Sequence, residues 1–183
     1  MESTLEIRFD RVGHLITAYA MCWVRYVQAP IGQVWQAVST KEGLEKWWIV
    51  PPRVFNLRID GLFSHHWDNT ITSYEPLRYI ALNEPRGSYR GTGGMRFELE
   101  AKGDNETTFM FLDTFGPTVL ASEAINGMPT KFEQQSGGPG TIWSSVTAGW
   151  HGTVDKLERL FDDEVPFNSN EELCCFYLGY IKA

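Results

Sequence analysis

The sequence predicts an α+β fold, a curved antiparallel sheet wrapped around a long C-terminal helix with two short helices after the first strand. Three observations carry that expectation. Segments in the middle of the chain alternate apolar and polar residues, the period of half-buried strands. Two short helical patterns stand between a first strand and those segments. From about Thr141 onward one apolar stripe continues through several helical turns.

Residues 17 to 28, "TAYAMCWVRYVQ", are rich in β-branched and aromatic types and read as the first strand. The period then changes. Pro30 suits a first helical turn, where its missing N–H is harmless, and Ile31, Val34, Trp35 and Val38 follow at i, i+3, i+4 and i+7. This helix is expected to end near Ser39-Thr40. A second short helix follows in "STKEGLEKWW", capped by Ser39 or Thr40, buried through Leu44, Trp47 and Trp48, and stopped by Pro51-Pro52.

"RVFNLRID" places Phe55, Leu57 and Ile59 on one strand face, and Asp60-Gly61 is a hairpin signal. The return strand "LFSHHW" carries Phe63, His65 and Trp67 on one face. Asp68-Asn69 reads as the next turn, and "TITSYEP" and "RYIALNEP" continue an antiparallel meander. "PRGSYRGTGG" is loop-like. In "MRFELEAKG", Met95, Phe97 and Leu99 alternate with Arg96, Glu98 and Glu100, and in "ETTFMFLDTFGP" Phe109, Phe111, Asp113 and Phe115 share a face. Residues 116–141 keep neither period and read as a long insertion. The last helix then lines up Trp143, Val146, Trp150, Thr153, Val154, Leu157, Leu160 and Phe161, with His151, Asp155, Glu158, Arg159 and Asp162 assigned to its polar side. The tail, 163–183, is apolar near its end and is expected to dock on the domain or on a second copy.

The 183 residues fit one domain, with a core over 17–162. Hydrophobic residues make up 43%, enough for such a core, and seven Trp and eleven Phe give it bulky rings that leave crevices between them. The net charge of −7, with no Lys/Arg block, argues against nucleic-acid binding. No basic segment leads into a clean apolar run at the N-terminus, and no stretch of eighteen apolar residues occurs, so neither a signal peptide nor a membrane span is expected. A cytoplasmic location is the corresponding expectation. Cys22, Cys174 and Cys175 are odd in number and include an adjacent pair, which suits neither a disulfide framework nor a zinc site.

The order of elements is that of a helix-grip domain. "VQAPIGQVWQAVSTKEGLEKWW", "DGLFSHHW", "TFMFLDTFGP" and "AGWHGTVDKLERL", in that order and spacing, resemble the START-like (SRPBCC) superfamily. Within it they are most similar to the branch named for the activator of the heat-shock-protein-90 ATPase. The likeness covers roughly residues 17 to 162. It implies a cavity between sheet and long helix, used across the superfamily for sterols, lipids, polyketides, plant hormones and other apolar molecules. It supplies no family-wide catalytic residues and implies no cofactor. The chain lacks the extra N-terminal domain through which the eukaryotic activators engage the chaperone, so chaperone activation is not expected. The insertion and the tail are both extra to the pattern, and each is a candidate for a lid over the cavity or a contact in a homodimer.

The chemistry-bearing residues are weighed on that frame. His65 and His66 are adjacent on a strand and point to opposite faces, which argues against a metal site. His65 and Asp113 would form an acid–base pair only if both point inward and touch. Ser144, Ser145 and His151 lack a nucleophile elbow, and Ser144 and His151 are too far apart along a helix to bond. "YRGTGG" lacks the lysine and the strand–helix setting of a phosphate loop. The candidate cavity lining is therefore Trp48, Phe63, His65, Tyr74, Phe97, Phe111, Asp113, Trp143, Val146 and Trp150, with His65, Asp113 and Tyr74 as polar contacts and no residue assigned to catalysis or metal binding. The leading expectation is a hydrophobic small-molecule binder. The alternatives are a cyclase- or hydrolase-type enzyme with His65 as base, and a chaperone-linked interaction module.

Overall fold

Residues 14–17, 20–65, 68–83, 94–114, 142–166, 168–170, 172–173 and 176 are described by a computed structural model, with only the backbone described for 14–17, 20, 114 and 142–146. The strands are β1 (His14–Thr17), β2 (Ala20–Val27), β3 (Val54–Phe55), β4 (Leu62–Ser64), β5 (Asp68–Glu75), β6 (Tyr79–Asn83), β7 (Gly94–Ala101) and β8 (Thr107–Thr114). They form one antiparallel sheet in the order β1-β2-β8-β7-β6-β5-β4-β3. Helices α1 (Ile31–Ser39) and α2 (Lys41–Leu44) lie between β2 and β3, and α3 (Ile142–Arg159) follows β8. This is the helix-grip arrangement.

Strand alternation decides what faces the helices. On β7, Met95, Phe97 and Leu99 are buried while their neighbours are half-buried or exposed, because successive side chains leave opposite faces of the pleat. Register then aligns the inner residues across the sheet. One row runs Trp23–Phe111–Phe97–Ile80–Tyr74, and the next runs Met21–Asp113–Met95–Leu82–Ile71. A third begins with Arg25, opposite Phe109.

The short helices follow the sequence pattern closely. Val34, Trp35, Ala37 and Val38 of α1 are buried, and Ile31 packs at the core's edge. Thr40, not Ser39, caps α2: its Oγ1 accepts from the Gly43 amide at 3.0 Å and donates to the Gln36 carbonyl at 2.8 Å. Gly43 sits so close beneath α1 that a Cβ there would lie 2.3 Å from the Gln36 carbonyl oxygen. The turns after α2 bring Trp47 and Trp48 inward, and the Trp47 indole donates to the Ala37 carbonyl at 2.9 Å.

Four expectations need correction. The first strand is a hairpin partner: Thr17 of β1 pairs with Ala20 of β2, and a continuous run of strand-forming residue types in the sequence spans both strands. The strand expected over "RVFNLRID" stops at Phe55, because the chain then folds on itself through Arg58 N–H to Asn56 C=O and Gly61 N–H to Arg58 C=O, both 2.8 Å. Asp60 adopts φ 58°, Ile59 is exposed, and a Cβ on Gly61 would lie 2.0 Å from the Asn56 carbonyl. Asp68 and Asn69 do not turn the chain; they open β5, paired with Ser64 and Phe63. The fourth correction concerns α3, whose supposed polar side is buried at His151, Asp155 and Glu158.

Asp155 and Glu158 are buried because Arg25 meets them, and His151 joins the group through Asp155. On β2 the inner positions are Met21, Trp23, Arg25 and Val27, so Arg25 projects toward α3 and is only 1% exposed. Its Nη2 lies 2.8 Å from Asp155 Oδ1 and its Nε 2.9 Å from the same oxygen, with Glu158 Oε2 at 3.6 Å. Nη1 donates to the Val24 carbonyl at 2.8 Å. His151 Nε2 stands 3.2 Å from Asp155 Oδ2. A guanidinium taken out of water requires carboxylate and carbonyl partners of this kind.

The tail also joins the domain. Leu173 is buried within the core cluster, against Gly152 of α3, and Phe176 packs at its margin. The insertion 116–141, the loop "PRGSYRGTGG" up to Gly93, Trp67 and Phe115 lie outside the described residues.

Two stability outcomes follow. Gly43→Ala should lower unfolding stability by about 1–3 kcal/mol in urea titration, because the added methyl meets α1 backbone rather than a yielding side chain. Arg25→Met should cost about 3–5 kcal/mol by stranding two buried carboxylates. Adding Asp155→Leu to that variant should recover part of the loss; a purely additive double variant would show that the two side chains are not coupled.

Candidate functional site

The inner surface between the sheet and the first half of α3 is organised around Trp48. Its ring centroid lies 5.1 Å from that of Trp150, 5.4 Å from Phe63, 5.5 Å from Phe97, 5.8 Å from His65 and 6.1 Å from Phe111. Phe111 and Trp150 approach to 4.9 Å. These separations suit tilted and edge-to-face packing, which adds a modest directional attraction to the burial of large apolar rings. Sequence reasoning placed Trp48, Phe63, Phe97, Phe111 and Trp150 on this surface, and the fold brings all five together from α2's trailing turn, three strands and α3.

Two polar pairs are set into this aromatic wall. Asp113 belongs to the Met21–Met95–Leu82–Ile71 row and is fully buried. Its Oδ2 accepts from Trp150 Nε1 at 2.5 Å. That bond fixes the rotation of α3 about its axis as well as the indole plane. His65, immediately after β4, is 1% exposed and lies 3.2 Å through Nε2 from Asn69 Nδ2. The imidazole also lies tilted against the Phe63 ring at 5.2 Å.

The His65–Asp113 pair weighed from the sequence is therefore distributed over two different contacts. Both side chains point inward, as that idea required, but β4 and β8 are separated in the sheet by β7, β6 and β5. The hydrogen bonds described for them run to Asn69 and Trp150, with Trp48 packed between the two sites. Tyr74 is half-buried at the end of the Phe97 row, beside the irregularity between Ile71 and Ser73. The side chains of Trp143 and Val146 lie outside those described. Among the described residues, no three His, Cys, Asp or Glu side chains are grouped to hold a metal ion, and no helix is long and apolar enough to cross a membrane.

Several residues escaped the sequence reading. Asn69 was hidden by the misplaced turn; pairing it with Phe63 puts it on the inner face. Thr147, fully buried, lies one turn before Trp150, between the angular positions of Trp150 and His151. His151 itself was expected at the solvent or flank. The available signal was Arg25: an arginine at an inner-facing strand position demands carboxylates from whatever packs on it, and α3 offers Asp155 and Glu158 on one side. Gly149 faces Ile49, whose Cδ1 would lie 3.4 Å from a Cβ at that position.

Cys22 is a buried free thiol. Burial chiefly, and the Glu98 charge secondarily, push its pKa up to about 11, so at neutral pH it is a thiol and a poor nucleophile. Because the folded value exceeds the thiol's ordinary value of 9.0, any stability this group contributes is complete below pH 9.0 and is lost as pH rises through about 11. In the native protein at pH 8, iodoacetamide should label Cys22 far more slowly than in the urea-unfolded chain. Equal rates would show that the site opens freely.

Comparison with known proteins agrees with this geometry. No curated protein matches the chain by sequence. Among solved structures, a conserved protein of unknown function from Enterococcus faecalis superposes with a TM-score of 0.63 at 15% identity, covering 89% of this chain and 84% of the other. CalU16 from Micromonospora echinospora gives 0.62 at 17% identity, covering 93% and 94%. DynU16, described as a putative protein in the dynemicin biosynthetic locus, gives 0.56 at 16% identity, covering 84% and 51%. At these identities the superpositions show the shared fold. The family model for activator of Hsp90 ATPase homolog 1-like protein matches residues 28–162, from the end of β2 to just past α3. With that match spanning most of the chain, and with the helix-grip sheet and α3 in place, the chain belongs to the activator of Hsp90 ATPase homolog 1-like family within the START-like superfamily.

Proposed function

We propose that this protein binds a largely apolar, ring-bearing small molecule between the sheet and α3, against the Trp48–Trp150 wall. The observation that carries the reading is Asp113. A carboxylate in a row otherwise made of Met21, Met95, Leu82 and Ile71 is expensive to bury. Its presence there, with a tryptophan N–H aimed at it, fits a site that orients a ligand by a few polar groups in an aromatic setting. The fold supports the same reading, since it places a long helix over a concave aromatic sheet. DynU16's position in a biosynthetic locus is a property of that protein; here it adds the suggestion that the ligand is a product or intermediate of small-molecule synthesis.

The test is direct binding. Titration with N-phenyl-1-naphthylamine should give saturable binding at one site per chain, with energy transfer from Trp48 and Trp150. Trp150→Phe, which trims the ring wall against Trp48 and Phe111 and releases Asp113 from its indole partner, should weaken it by about tenfold, about 1.4 kcal/mol. Native mass spectrometry of the purified protein should reveal a co-purified small molecule and give the subunit count. Failure of every apolar probe to saturate, together with a bare polypeptide mass, would remove the proposal.

A further inference from the structure

Among the described residues, the buried polar atoms of this inner surface that make no hydrogen bond include Trp48 Nε1, Asn69 Oδ1 and Thr147 Oγ1. Their residues are 3%, 1% and 0% exposed. Such atoms are rare in native interiors because each forfeits its bond to water and gains nothing in return. Turning the Asn69 amide over does not remove the problem, since one end of it meets His65 and the other end remains without a partner.

Register places these atoms at one end of the grip. Asn69 is the next inner position on β5 beyond Ile71, and Ile71 ends the row that contains Asp113. Thr147 is one helical turn beyond Trp150, which is bonded to Asp113. Both residues therefore lie past the Asp113 row in the same direction, toward the end of the sheet where β6 stops and β7 starts. Trp48 bridges them, with its ring against Trp150 on one side and against His65, Asn69's partner, on the other.

The three atoms are chemically complementary rather than alike. The indole N–H only donates, the amide oxygen only accepts, and the threonine hydroxyl does both. A group that accepts from Trp48 and donates to Asn69 is a hydroxyl, and the surrounding rings call for it to be carried on a ring system. Resting on the reading that this interior binds a ligand, we propose that Trp48, Asn69 and Thr147 form a recognition subsite for a hydroxyl group on an aromatic or polycyclic molecule.

The experiment compares 2-naphthol with 2-methylnaphthalene, which replaces the hydroxyl by a methyl of similar size, by competition against N-phenyl-1-naphthylamine. Wild type should prefer 2-naphthol by about tenfold or more, since a site built to bond a hydroxyl strongly rejects the analogue lacking it. Thr147→Val and Asn69→Leu should each reduce that ratio while leaving 2-methylnaphthalene affinity unchanged. The melting temperature of ligand-free Thr147→Val should stay the same or rise, because the hydroxyl has no partner in the fold; a fall would make it a structural group and overturn its assignment. A wild-type ratio near one, as expected if ordered water alone occupies these atoms, overturns the subsite while leaving the binding reading intact, and so does a ratio that neither variant moves. If neither naphthalene displaces the probe, the subsite is overturned; the binding reading falls only if N-phenyl-1-naphthylamine itself fails to saturate and no small molecule co-purifies.

Discussion

The arrangement depends on how α3 is held over the sheet, and the Arg25 guanidinium is the central contact. It reaches from β2 to Asp155 and Glu158, so it ties the second half of the helix to one strand in a fixed register. A hydrophobic interface alone would tolerate sliding or rotation of a helix that is apolar over a broad face. A buried ion pair does not, because any displacement leaves a charge without its partner in a medium that solvates it poorly. The net attraction can be small even so. Its consequence is specificity of position, and His151, bonded to the far oxygen of Asp155, widens the contact along one helical turn.

With the second half pinned, the first half of α3 has little freedom, and Trp150–Asp113 uses what remains. Trp150 lies five residues before Asp155, and Asp113 lies on β8, the strand that pairs with β2. The two polar contacts thus lie two inner rows apart along neighbouring strands, with Phe111 and Trp23 filling the row between them, stacked at 5.6 Å. One clamp uses a full charge pair far from the aromatic wall. The other places a carboxylate and an indole within it, where the same geometry that seats the helix also presents polar atoms to the interior.

Sequence periodicity made the architecture readable because the relevant patterns are local. The alternation at Met95, Phe97 and Leu99 and the i, i+3, i+4, i+7 series from Ile31 each state which face is buried, and burial followed. The aromatic part of the site was readable for the same reason. What periodicity could not report was pairing. Thr17–Ala20 and Phe63–Asn69 are relations between strands, and a run such as "HLITAYAMCWV" contains no residue that must sit at a reversal. Asp68-Asn69 has turn-forming composition, yet the Ser64 hydroxyl donates to the Asp68 carboxylate at 2.5 Å across the first β4–β5 pair. A polar residue that is satisfied by its cross-strand neighbour looks, in sequence, the same as one that bends the chain.

Polar residues on α3 show the same limit from the other direction. Assigning His151, Asp155 and Glu158 to solvent assumes that burial follows hydropathy, whereas burial follows partners when a strong one exists. Arg25 inverts the assignment for one side of the helix, while Lys156 and Arg159 remain exposed. Trp48 and Thr147 complete the contrast. They too are polar groups carried inside, but with no bond waiting for Trp48 Nε1 or Thr147 Oγ1. Packing of the indole ring explains why Trp48 is buried, and the helical position beside Trp150 explains why Thr147 is buried; neither explains why the interior keeps an N–H and a hydroxyl where Phe and Val would fit the same fold. That surplus of hydrogen-bonding capacity distinguishes the Trp48 end of the grip from the Arg25 end, where every role is accounted for by holding the helix.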